Sequence, residues 1–261
     1  MSKGSLTILG TGIEVVSHIT FESLDKIKKA AKLFYLVNDK ILEEWLLRQN
    51  PGGISLAHHY KTNLDREKIY SNITNEVSGE VIAGNCVTLV FYGHPCVFVR
   101  PMRLLINALE PKGHQVKILP AVSALDALLA DLKAPLSTEG LQNYEATDLV
   151  LYERHLDPRS PLVIWQAGTF ANIKVSSELG LGTNQKKLIF FINYLQRFYD
   201  GKHTIMIYDG SIYPGYKPEI KSICIKDLNC NVLTPTSTLY IPPSQQARIN
   251  KTTLKQLGLS Q

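Results

Sequence analysis

Arg66 and Tyr70 stand four residues apart in the run Asp65-Arg66-Glu67-Lys68-Ile69-Tyr70. At helical spacing their side chains share one face, and Tyr60 lies in the polar stretch His58 to Leu64 that leads in. A guanidinium beside a phenol can lower its pKa from about 10 and can stabilise negative charge developing on an oxygen. Taken alone, the pattern is first of all a surface arginine packed on a ring. His58 and His59 invite a metal reading. Adjacent residues share no face of a regular helix or strand, however, and no acid stands at metalloenzyme spacing. No metal is therefore expected.

Three loops rich in glycine or proline could form a pocket. Gly10-Thr11-Gly12-Ile13-Glu14-Val15 lacks the third glycine or alanine of a dinucleotide fingerprint, and no well-placed acid follows about 20 residues later to hold a ribose. The turn instead suits a close approach of backbone to substrate. In Tyr92-Gly93-His94-Pro95, glycine and proline set an unusual backbone; His94 either donates to a ligand or caps the strand end. Pro120-Ala121-Val122-Ser123-Ala124 delivers a hydroxyl and free backbone amides at a helix start. Together the loops suit a polar small molecule without naming it.

The elements that position these residues follow from apolar periodicity. Strands are expected at Leu6–Leu9, Leu33–Val37, Ile54–Leu56, Cys86–Phe91 and Val116–Leu119. Helices are expected from Thr20 through Lys32, Asp39–Arg48, Asp65 to about Ala83, Pro101–Leu109 and Ser123–Leu132. This alternation implies an α/β domain with a parallel sheet and ligands at the strands' carboxyl ends. Composition shifts over Leu132 to Asn143, through Pro135, Ser137, Thr138 and Gly140, so a domain boundary is placed there. Beyond it, strands at Asp148–Tyr152, Leu162–Gln166, Thr204–Tyr208, Ile220–Ile225 and Thr238–Ile241, with one strong helix at Gln185–Phe198, predict an α+β domain with a mixed sheet.

The 261 residues are 44% hydrophobic and 20% charged, and the net charge of +5 is scattered apart from Lys26, Lys28, Lys29 and Lys32, which read as a solvated helix face. A nucleic-acid footprint would be clustered. No stretch approaches the ~20 apolar residues that span a bilayer. The run Ser5–Leu9 so near Met1 leaves no room for a signal peptide, so the expected location is cytoplasmic. Cys86, Cys96, Cys224 and Cys230 form no CxxC pair and are expected to be reduced, buried and structural.

The GxG turn, the Gly-x-Pro loop and the Pro-x-x-Ser loop, in this order, resemble the tetrapyrrole (corrin/porphyrin) methylase superfamily, the class III S-adenosylmethionine (SAM) methyltransferases. Where most members carry Gly-Asp-Pro, this chain has Gly93-His94-Pro95, and Tyr92 to Phe98 closely resembles the borosin peptide backbone α-N-methyltransferases. Ser5 to Gly12, the Tyr60, Arg66 and Tyr70 set, Leu119 to Ala124, Tyr144-Glu145-Ala146 with Asp148, Trp165-Gln166 and Ser237 to Pro243 extend the likeness over nearly the whole chain. It departs at Ala121 for glycine, Leu125 for an acid, and Ala57 where the family often has another tyrosine.

The resemblance implies an N-terminal domain over 1–133, a C-terminal domain over 134–243 closing a SAM cleft, and a tail over 244–261. It implies that Tyr92, His94, Val97, Phe98, Ser123, Ala124, Gln166 and Ser237 or Thr238 surround SAM, whose product is S-adenosylhomocysteine, with no metal. It implies that Tyr60, Arg66 and Tyr70 are catalytic, and that the protein is an interlocked homodimer. The polar tail from Ser244 reads as too short to carry a core peptide back to the site. The expectation is thus a split enzyme methylating a separate precursor peptide, two of which would give a heterotetramer. A methyltransferase for a tetrapyrrole or other small molecule is the rival reading, and a silent peptide-binding module is the other, supported by Ala57.

Overall fold

In the computed structural model, which describes residues 3–60, 65–137, 139–172 and 183–259, the first half alternates strand and helix. The elements are β1 (Ser5–Gly10), α1 (Phe21–Lys29), β2 (Lys32–Leu36), α2 (Lys40–Gln49), β3 (Ile54–Ser55), α3 (Arg66–Ile82), β4 (Cys86–Phe91), α4 (Arg100–Leu109), β5 (Gln115–Ile118) and α5 (Ala124–Leu132). All strands are parallel, in the order β3-β2-β4-β1-β5. Side chains alternate across a strand, so each strand feeds two cores. Leu6, Ile8, Phe34 and Leu89 pack with Ile69, Ile73 and Val77 of α3 and Leu105 of α4. Leu9, Leu33, Tyr35 and Val90 pack on the other face with Ile27 of α1 and Leu42 and Leu46 of α2.

The caps explain the helix starts. Thr20, Asp39 and Asp65 accept hydrogen bonds from the backbone amides of Ser23, Leu42 and Glu67, satisfying first-turn donors. α1 ends at Lys29, short of the expected Lys32, because Ala30 is already extended and Lys32 begins β2.

The second half contains β6 (Gln142–Glu145), α6 (Ala146–Leu151), β7 (Leu162–Trp165), α7 (Gln185–Leu195), β8 (Thr204–Asp209), β9 (Glu219–Cys224), β10 (Thr238–Ile241) and α8 (Lys251–Gln256). Its sheet runs β6-β7-β10-β8-β9, with β6 and β7 parallel and the other pairs antiparallel. Leu162, Ile164, Ile205, Ile207 and Leu239 pack against Leu188, Phe191 and Leu195 of α7. The expected strand at Asp148–Tyr152 is instead part of α6. Glu145 caps it by accepting from the Asp148 amide, and Ala146 and Leu149, three apart, both face the core. β6 and α8 were not anticipated.

Two compact units result, one of 3–133 with Gly210–Pro218, the other of 134–172, 183–209 and 219–259. The sequence assigns 210–218 to the second half, yet two contacts hold it to the first unit. Val15 N donates to Ile212 O at 2.7 Å, and Tyr213 Oη donates to Asp39 Oδ2 at 2.6 Å. Residues 61–64 of the polar stretch and Thr138 of the boundary lie outside the described residues. The cysteines are free, but none is buried as expected. Cys86 at the start of β4 and Cys96 in a loop are exposed, while Cys224 and Cys230 are half-buried. Among the described residues no helix is long and apolar enough to cross a membrane.

Candidate active site

The carboxyl ends of β1, β4 and β5 bring the three loops side by side in the first unit. The first two are stapled together. Gly93 N donates to Gly12 O at 3.0 Å, and Gly12 N donates to Gly93 O at 3.3 Å. A Cβ on Gly10 would lie 2.0 Å from Gly93 O, so only glycine permits this approach. Gly93 itself sits at φ +73°, where a side chain is strained.

His94 serves its own loop. Its Nδ1 accepts from the Cys96 amide at 3.0 Å, which leaves the ring hydrogen on Nε2. Val97 N donates to His94 O at 3.0 Å, closing the turn that leads to Phe98, itself at φ +56° and 47% exposed. Nδ1 is thus engaged within the loop and not at the end of β4.

Ser123 starts α5 with a capping box. Its Oγ donates to Asp126 Oδ2 at 2.6 Å and accepts from the Asp126 amide at 3.2 Å. Burial pushes the Asp126 carboxyl up, but the bonds from the Ser123 side chain and amide outweigh it, and nearby His94 adds to them, so the net shift is down. The Ser123 hydroxyl is therefore already engaged within the protein. The amides of Ala124 and Leu125 meet no protein acceptor among the described residues.

Tyr60, Tyr70, Tyr92 and Phe98, with Leu36 and Val99, line one cavity of about 160 Å³. Two expected catalytic residues thus share a space with two expected cofactor residues. Tyr60 is 41% exposed overall, yet burial of its phenol pushes the pKa up to about 12. Tyr70 adds to that rise, and the Arg66 charge opposes it. The sequence expectation of a lowered phenol pKa is corrected for Tyr60: desolvation exceeds the effect of the guanidinium. Tyr60 is a neutral O–H donor at ordinary pH. Tyr92 is likewise pushed to about 12, by burial and then by the Asp39 charge. Arg66, at the start of α3, is half-buried, and its neighbour Glu67 is held by Arg100 at 2.6 Å.

The second unit groups the remaining expected residues. Gln166 adopts a left-handed turn at φ +58° after β7, where Trp165 donates to Asn143. Ser237 is fully buried before β10; its Oγ donates to Asp209 Oδ2 at 2.8 Å and accepts from the Thr234 amide at 2.8 Å. Thr238, 5% exposed, opens β10 opposite Tyr208. Gly168 brings the Gln166 turn against the Thr234 loop, since a Cβ there would lie 1.7 Å from Thr234 O.

Asp209 was missed in the sequence. It accepts from Thr234, Thr236 and Ser237, with the nearest of these 25 residues away, so no local spacing reveals it. Asp126 was also missed, although its place three residues after Ser123 is a capping spacing visible in the sequence. His58 and His59 also need correction. A short 3-10 turn at Ala57–His59, neither regular helix nor strand, turns both rings to Glu76.

Residues 5–175 match the model of the Tetrapyrrole (Corrin/Porphyrin) Methylases. The chain belongs to that family. The chain is 35% identical over 246 residues to the "Methyltransferase/ribosomally synthesized cyclic peptide gymnopeptides precursor" of Gymnopus fusipes, covering 93% of this chain and 58% of that protein. It is 35% identical over 261 residues to a "Methyltransferase/ribosomally synthesized type I borosin cyclic peptide precursor" of Mycena rosella, covering 98% and 64%. The chain thus spans about three-fifths of these relatives' length. Its fold is shared with the uroporphyrin-III-C-methyltransferase of Thermus thermophilus, at TM-score 0.61 and 16% identity over 99% of this chain and 98% of that one.

Proposed function

We propose that this methylase transfers methyl groups from SAM to backbone amide nitrogens of a peptide. The observation that carries the reading is the shared cavity, in which Tyr60 and Tyr70 meet Tyr92 and Phe98. The names of the relatives, which join methyltransferase and cyclic peptide precursor, support the substrate class.

The donor set suits SAM. The unclaimed amides of Ala124 and Leu125 at the start of a helix fit its oxygen atoms, and Tyr92, Val97 and Phe98 offer apolar surface to its ring. His94 and Ser123, on the same unit, complete the proposed set. Bound SAM supplies an electrophilic methyl on a sulfonium.

An amide nitrogen is a poor nucleophile because its lone pair is delocalised into the carbonyl. The chain must therefore take the N–H proton and stabilise charge on the carbonyl oxygen as an imidate develops. Tyr60, neutral because of burial, donates its O–H to that oxygen, and Arg66 adds its positive charge. Tyr70, which lines the same cavity, relays the amide proton towards solvent. With SAM held in line, its methyl group would pass from sulfur to the amide nitrogen and S-adenosylhomocysteine would be the product. In-line placement supplies much of the remaining acceleration.

The test incubates the protein with SAM and a separate synthetic peptide patterned on a cyclic peptide precursor, and follows intact mass. Gains in steps of one methyl, mapped by fragmentation to backbone nitrogens, support the reading and the action in trans. Turnover of a small tetrapyrrole but not of peptide would replace it. Failure to bind SAM, with peptide still bound, would leave a peptide-binding module. A homodimer, with two peptides a heterotetramer, belongs to the same proposal and is read by light scattering.

A further inference from the structure

One polar cluster on the first unit lies outside the residues proposed for methyl transfer. The 3-10 turn Ala57–His59 sets two imidazoles side by side, with ring centroids 4.1 Å apart. Both Nε2 atoms converge on a single oxygen, Glu76 Oε2 of α3, His58 at 3.1 Å and His59 at 2.6 Å. The three ligand atoms all lie within 4.8 Å of one another.

The other nitrogen of His58 defines what it presents. Its Nδ1 lies 2.8 Å from Ser55 O. A carbonyl only accepts, so Nδ1 carries the hydrogen and donates. Its Nε2 is then the ring atom turned on the Glu76 carboxylate. An Nδ1–H bond to a backbone carbonyl is also the outer-shell contact that orients metal-bound histidines.

We infer that His58, His59 and Glu76 bind one divalent transition-metal ion of the zinc type. Two imidazole nitrogens and a carboxylate oxygen match zinc's preferred donors, and three protein ligands leave a fourth position for water. Calcium and magnesium, which favour all-oxygen sites, do not fit this set. Tetrahedral bonds of about 2.0–2.2 Å separate ligand atoms by roughly 3.3 Å, so the existing contacts need widen only slightly. With His58 53% and Glu76 31% exposed, ion and water reach the site directly.

The ion acts on position, not on the reaction. His59 directly precedes Tyr60, whose amide donates to Ala57 O at 2.9 Å, and Glu76 follows Tyr70 on α3. A metal bridge would pin the turn to the helix and hold both cavity tyrosines in register. The inference rests on this geometry and is independent of the proposed substrate.

The test uses the full chain without a polyhistidine tag, stripped with a chelator and titrated with zinc chloride by calorimetry. Cobalt(II) absorption reports the ligand field. The expected result is one saturable site, with affinity reduced by at least about tenfold in His59→Ala and in the isosteric Glu76→Gln. His155→Ala should bind as wild type. Zinc should raise the melting temperature of wild type but not of the variants. His58→Ala, at a half-exposed side chain, is the further variant should either of the others fail to fold. Absence of saturable zinc binding by wild type, or undiminished affinity in the folded variants, would overturn the inference.

Discussion

Tyr213 donates its hydroxyl hydrogen to Asp39 Oδ2 at 2.6 Å, across 174 residues of chain. Asp39 also caps α2, and its charge helps push Tyr92 up, so the pair stands behind a cavity residue. The Tyr213 bond holds the Asp39 carboxyl below its ordinary range. The folded state therefore sheds this proton more readily than the unfolded chain. The resulting stability is full above the ordinary carboxylate pKa of about 3.9 and is lost as pH falls through the folded value. Tyr213→Phe should melt below wild type at neutral pH, and the gap should close as the pH falls below that range. Thermal melts of both proteins between neutral and acid pH check this; a gap that persists in acid would contradict it.

The proposed mechanism separates catalysis from cofactor binding. Tyr60→Phe should lower the rate of methyl transfer by about 10²–10³-fold, the usual cost of one oxyanion donor. Arg66→Ala and Tyr70→Phe should reduce it to background. SAM affinity by calorimetry should stay within a few-fold of wild type in all three. If these variants lose SAM instead, the residues belong to the cofactor site.

Alkaline behaviour follows from the buried phenols. Tyr35, Tyr60, Tyr92 and Tyr199 are each pushed to about 12 by burial. The folded state holds these protons after the unfolded chain, with a phenol pKa of about 10, begins to release them. Their contribution is full below about pH 10 and declines as pH rises towards about 12. Melting temperature should fall across that interval while tyrosinate absorbance lags. Uniform ionisation of every tyrosine near its ordinary value would rule this out.

Asp209 should prove a positioning residue. It accepts from Thr234, Thr236 and Ser237, holding the buried Ser237 hydroxyl in place. Asp209→Ala removes charge-assisted bonds and should cost about 2 kcal/mol of stability. Asp209→Asn should fall between, as measured by urea unfolding. An Asp209→Ala protein as stable as wild type would show that these bonds do not hold the turn.

Gly10→Ala puts a methyl 2.0 Å from Gly93 O and 2.8 Å from the Ala121 Cβ. Backbone atoms cannot swing aside, so the loops after β1 and β4 must part. We expect a loss of about 1–3 kcal/mol by urea unfolding, with weaker SAM binding. A variant as stable as wild type would show that the loops tolerate separation.

Much was legible where signals are local. Apolar runs such as Leu6–Leu9 and Cys86–Phe91 marked strands of the first sheet, and Thr20, Asp65 and Ser123 marked the starts of their helices. The spacing of Arg66 and Tyr70, and the loops at Gly10 and Gly93, pointed to a site because short-range sterics and helical repeat dictate them. The run Asp148–Tyr152 misled because a short apolar segment serves a strand or a buried helix equally well. Only the cap from Glu145 decides for helix.

Tertiary structure alone decided the rest. It joined Asp209 to Ser237, Asp39 to Tyr213, and Glu76 to His58 and His59, partners 17 to 174 residues apart. It also set the state of the Tyr60 phenol. Residue type and spacing predict the pull of Arg66, but desolvation depends on which atoms surround the hydroxyl, and that is known only once the chain has folded.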